Sequence, residues 1–264
     1  TFPTIVGLAL AGGYLYMVHL RTLGVLIALV LTVLLFWAAQ RMDWKQVLVF
    51  FLSFVVFLLV QNLIKMWYNN TVYVSTLYAG TNDYGSQVGN MFNAFSTPEG
   101  WRSLFYSACG KMFYLASSTL MLGLVTLRLL FADFFTALWQ WARGGLRRFN
   151  PRKLPSVFLL LSFGGTYMVN VIAMRNASRL DVLVYGRYME VAFGPLIAIG
   201  LALLLLGRVG LGQAVGCCGV AALLAAFTNA ELIRIDAAGA ENFNFLCVTT
   251  WRHFNELHQE TPQF

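Results

Sequence analysis

VLVFFLSFVVFLLVQNLI, residues 47–64, runs for 18 residues without a charged side chain. At about 1.5 Å per residue it would span roughly 27 Å as a helix, close to the ~30 Å hydrocarbon core of a bilayer. Hydrocarbon offers the backbone no hydrogen-bond partner, so a segment of this kind crosses a membrane as a helix that satisfies its own amides. Comparable runs recur along the chain. We read seven spans, at about 3–20, 23–39, 47–64, 109–131, 154–174, 191–207 and 210–227.

Composition points the same way. The chain is 59% hydrophobic and 11% charged, with a mean hydropathy of +0.68, whereas soluble domains carry roughly 25% charged residues. The expected fold class is an all-α, polytopic transmembrane helix bundle over residues 1–227. Two outer loops are expected at about 65–108 and 175–190, and an extracytoplasmic tail at 228–264. The net charge of +7 is read as topological, since basic residues in membrane proteins set orientation; nucleic acid is not expected as a partner. The four cysteines show neither disulfide nor metal-ligand spacing. His253 and His258 lack the four-residue separation of a zinc helix, so no metal site is assigned.

Orientation rests on the densest basic loop. Arg143, Arg147, Arg148, Arg152 and Lys153 lie beside Trp139 and Trp141, which places that loop in the cytoplasm with the tryptophans at the interface. The 65–108 and 175–190 loops and the tail then fall outside. Thr97-Pro98-Glu99 reads as a helix start, with a capping threonine, proline at the first helical position and an acid in the first turn. The helix it opens, through Tyr106, is expected to lie in the interface.

Arg102, Arg175, Arg179 and Arg187 sit outside, against the topological trend. Within MRNASRLDVLVYGRYMEVAFGP, residues 174–195, three of these arginines are edged by Asp181, Glu190, Tyr185 and Tyr188. An interfacial loop with snorkelling arginines and an aromatic belt would show the same composition. If the outer loops converge, however, Arg175, Arg179 and Arg187 with Lys111 would form a cationic pocket at headgroup level. Guanidinium forks suit phosphate oxygens, and the ligand there would be a lipid phosphate. Asp83, Glu99, Asp181 and Glu190 are the outer-loop acids open to a base or metal role. Asp83 and Glu190 are kept as catalytic candidates. No cofactor is fixed, and a divalent metal stays open.

Three segments resemble one group. Gly100–Leu127 looks like the segment leading into a mid-protein helix of bacterial GT-C-type membrane glycosyltransferases. Tyr185-Gly186-Arg187-Tyr188-Met189-Glu190, followed by Pro195, resembles their G-R-Y-hydrophobic-E then Pro pattern. Val18-His19-Leu20-Arg21 resembles a His-Pro-Arg element, with Leu20 replacing the proline. The resemblance implies transfer of a sugar from a polyprenyl-phosphate donor on the extracytoplasmic face of a bacterial plasma membrane, in making cell-envelope polysaccharide. It carries donor binding to Arg187, Tyr188 and Glu190. Lys111 stands where a neutral amide is expected.

Such enzymes keep their catalytic carboxylate in a first outer loop that nothing here matches. The chain, which begins at Thr1 inside an apolar segment, therefore reads as the C-terminal portion. The catalytic acid is expected upstream, and the missing part or another membrane subunit becomes an expected partner beside lipid and donor. The alternatives are a transporter or flippase for a lipid-linked or anionic solute, and a non-catalytic assembly subunit.

Overall fold

The computed structural model describes residues 1–18, 22–71, 95–144, 150–173, 183–184 and 186–237. Among them there is no strand. Eight α-helices follow in order: α1 (Phe2–Val18), α2 (Leu23–Ala38), α3 (Trp44–Thr71), α4 (Pro98–Ser118), α5 (Leu122–Gly144), α6 (Leu154–Ala173), α7 (Phe193–Leu205) and α8 (Leu211–Ala237). Short 3-10 turns cover Pro151–Lys153 and Arg187–Ala192. The chain is an all-α bundle, as its composition requires. Helices α3, α5, α6 and α8 are long and apolar enough to cross a membrane, and α1, α2 and α7 are shorter apolar helices.

Two differences from the expected spans have a physical cause. Residues 109–131 are not one span, because α4 ends at Ser118 and α5 starts at Leu122. The break is a Schellman turn: Met121 N–H bonds to Ala116 O at 2.8 Å and Leu120 N–H to Ser117 O at 3.2 Å. Leu120 and Met121 take φ of 49° and 67°, in the left-handed region usually left to glycine. The segment opened by Thr97 is accordingly not a separate interfacial helix but the first half of α4. At the other end, α8 runs past Phe227 to Ala237, so residues 228–237 are helix rather than part of a tail.

Close approach of backbones sets the bundle. Gly24 of α2 lies against Gly165 and Thr166 of α6, and a Cβ on Gly165 would sit 2.8 Å from Gly24 O. Without glycine on both sides these helices could not pack so tightly, the usual device where the hydrophobic effect does not drive helix association. Ile5 and Ala9 of α1 pack in one cluster with Leu29 and Val33 of α2 and Phe50 of α3. The outer face of α3 (Leu52, Val55, Val56, Leu59, Val60 and Leu63) is exposed, as hydrocarbon contact allows.

Helix α4 runs antiparallel to both α6 and α8. Its Leu104 and Ala108 meet Val171 and Tyr167, while Phe105 meets Phe227 and Ala116 meets Ala221. The start of α4 therefore lies at the end of the bundle where α6 and α8 finish. The basic segment before α6 is at the opposite end, with Arg143 stacked 4.2 Å over Trp139 and Lys153 paired to Asp133 at 3.3 Å.

Candidate functional site

The start of α4 forms as its sequence directs: the Thr97 side chain accepts from Gly100 N–H at 3.1 Å, with Pro98 and Glu99 in the first turn. The helix then buries a face that includes Leu104, Ser107, Lys111 and Leu115, positions at helical spacing. Three polar contacts organise this face, one within α4 and two across to α6. The Lys111 amine donates to Ser107 Oγ at 2.7 Å, the Ser107 hydroxyl donates to Val171 O at 3.2 Å, and the Tyr167 hydroxyl donates to Ala108 O at 2.9 Å.

Lys111 has 0% exposure. Burying an amine is costly unless polar groups meet it. The local chain supplies one reason it is tolerated. Val171 lies in the last turn of α6, where carbonyls outrun the donors of the helix and the macrodipole is negative. Ser107 links the amine to one of those carbonyls. Asn170, beside Val171, is buried too, at 2% exposure.

The chain after residue 182 returns onto the same helix. Gly110 leaves room for Leu183, where a Cβ would strike the Leu183 carbonyl, and Gly186 leaves room for the Tyr114 ring. From there Met189, at 0% exposure, plugs into the main core with Leu115, Leu127, Leu130, Leu160, Phe163 and Leu196. With Met189 inward, Glu190 turns to the surface and accepts the Tyr114 hydroxyl at 2.5 Å. The Tyr114 ring packs on Phe193 with centroids 5.9 Å apart. Lys111 and Tyr114, three residues apart, are neighbours on the helix surface.

Glu190 is thus joined to α4 through Tyr114, and Lys111 lies on the same helix, hydrogen-bonded to Ser107. Arg187 and Tyr188 lie on the 3-10 turn that Met189 and Glu190 anchor. Lys111, expected in a headgroup-level pocket, is instead buried in the bundle. Asp83, Arg175, Arg179, Asp181, Tyr185 and the 19–21 element fall outside the described residues. Sequence reading missed Ser107, Tyr114 and Asn170. The signal for the first two was present: Ser107, Lys111 and Tyr114 recur at i, i+4 and i+7, the spacing of one helix face.

Among the described residues no group of three or more His, Cys, Asp or Glu side chains is placed to hold a metal ion. A separate ionic cluster sits at the start of α4, where Arg102 pairs with Glu231 of α8 at 3.3 Å and Arg234 pairs with the same carboxylate at 2.5 Å. No protein-family model matches the chain, and neither a curated protein nor a solved structure matches it.

Proposed function

We propose that the chain is the membrane part of a glycosyltransferase that takes a sugar from a polyprenyl-phosphate donor at the extracytoplasmic face of a bacterial plasma membrane. The observation that carries this reading is the Tyr114–Glu190 hydrogen bond of 2.5 Å. It ties the turn bearing Arg187, Tyr188 and Glu190 to α4, one helical turn from Lys111. In this reading Arg187 grips the donor phosphate, Tyr188 packs on sugar or lipid, and Glu190 orients Arg187. As the sugar leaves, negative charge gathers on the polyprenyl phosphate, and a guanidinium at that phosphate would stabilise the charge. With Oε1 held by the phenol, Glu190 is better suited to positioning than to serving as the base.

A second reading, a transporter or flippase for a lipid-linked or anionic solute, is favoured by one observation. Lys111 is an ionisable group at 0% exposure within a helix bundle, a feature common along solute pathways.

Donor binding by the purified chain tests the first reading. Arg187→Lys should be nearly as damaging as Arg187→Ala, because a point charge cannot reproduce the bidentate fork. The loss expected is about tenfold to a hundredfold in affinity for a polyprenyl-phosphate sugar. Arg143→Ala, at the opposite end of the bundle, should leave binding unchanged. Unaltered binding by Arg187→Ala would reduce the arginine cluster to a topological feature.

A further inference from the structure

The Arg102–Glu231–Arg234 cluster lies apart from the Lys111 face. Arg102 precedes Lys111 by nine residues, which at about 3.6 residues per turn puts it on the opposite side of α4 and roughly 13 Å away along the axis. Glu231 has only 5% side-chain exposure, and it accepts from Arg234 Nε at 3.0 Å and Nη2 at 2.5 Å and from Arg102 Nη2 at 3.3 Å. The two arginine side chains are 51% and 47% exposed. One buried carboxylate therefore holds two guanidinium groups side by side and leaves a net positive charge at the surface. Each guanidinium has five N–H donors, and most of those are not spent on Glu231.

Its surroundings fit an amphiphile. Trp101 is 57% exposed and hydrogen-bonds through its indole to Phe95 O at 3.1 Å, as a tryptophan at headgroup level does. One turn further into the bundle on each helix stand Phe105 and Phe227, both partly exposed, in edge contact at 5.4 Å. We propose that Arg102 and Arg234, clamped by Glu231, bind the phosphate of an anionic membrane phospholipid whose acyl chain lies against Phe105 and Phe227. The site is independent of the donor-binding reading.

The test uses the full chain in a neutral detergent, titrated with short-chain phosphatidylglycerol while its thermal unfolding is followed. Phosphatidylcholine of the same chain length and inorganic phosphate are the other two arms. Phosphatidylglycerol should raise the unfolding midpoint of the parent, and Arg102→Gln should need about tenfold more lipid for the same shift. Phosphatidylcholine and inorganic phosphate should act far more weakly. Should Arg102→Gln fail to fold, Arg102→Lys replaces it; it keeps the charge, loses the fork and should still need several-fold more lipid. The proposal is overturned if the variant titrates like the parent, or if phosphatidylcholine is as effective. Inorganic phosphate competing as strongly as the lipid would also overturn it, by making this a free-anion site.

Discussion

The Tyr114 hydroxyl donates to Glu190 Oε1 at 2.5 Å across 76 residues of sequence, and so fastens the turn before α7 to the C-terminal part of α4. A hydrogen bond to a carboxylate is stronger than a neutral one, but Glu190 is exposed and water competes for it. Tyr114→Phe should cost about 1 kcal/mol. In a double-mutant cycle with Glu190→Ala the coupling should be about 0.5–1.5 kcal/mol. Chemical unfolding in micelles measures both. A coupling indistinguishable from zero would mean that the turn is held by apolar packing, Met189 foremost, and not by this hydrogen bond.

The Leu120 backbone gives a test of the helix break. Its φ of 49° and 83% exposure place a leucine where left-handed geometry costs roughly 1–2 kcal/mol and the side chain gains little packing. Leu120→Gly removes that cost but adds backbone freedom to the unfolded chain. The net gain should be about 0.5–1 kcal/mol. Leu120→Val, branched at Cβ, should instead lower stability. Thermal midpoints in the order glycine, leucine, valine are expected, and the reverse order would rule out the turn as described.

That turn also shows where the sequence was legible and where it was not. Helix α2 ends in the same hydrogen-bond pattern at Gln40, with φ of 56°, and α7 ends in it at Gly207, with φ of 64°. Only the Gly207 break carries the residue that announces it. At Leu120 the apolar pattern runs straight through, so two helices read as one span. Apolar length and the Thr97-Pro98-Glu99 cap were readable because they are local properties. The Tyr114–Glu190 and Ser107–Val171 contacts were not, because their partners are 76 and 64 residues apart and nothing local specifies the pairing.

Two adjacent glycines should respond oppositely. At Gly164 a Cβ would meet nothing within 4 Å, whereas at Gly165 it would sit 2.8 Å from Gly24 O across the α2–α6 contact. Gly164→Ala should be neutral or stabilising by up to about 1 kcal/mol through helix propensity. Gly165→Ala forces the two backbones apart and should cost about 1–3 kcal/mol. Unfolding midpoints of the two variants, measured side by side, check this. Equal midpoints would show that α2 and α6 are not in backbone contact.

The last prediction separates a structural from a functional role for Lys111. Ser107 accepts from the Lys111 amine at 2.7 Å and donates to Val171 O at 3.2 Å. Ser107→Ala therefore takes a partner from two polar groups at once, one of them an amine at 0% exposure. That should destabilise the bundle by about 1–3 kcal/mol. Lys111→Met removes the buried amine, keeps most of the volume and leaves the Ser107–Val171 bond in place. Replacing a buried charged group by an apolar one of similar size is often neutral or stabilising, so its unfolding midpoint should equal or exceed the parent's. Donor binding then decides the role. If Lys111 contributes positive potential beneath the Arg187 turn, Lys111→Met should bind a polyprenyl-phosphate sugar several-fold more weakly despite its stability. Tight binding by a stable Lys111→Met protein would leave the lysine a packing element of the α4–α6 contact and remove it from the site.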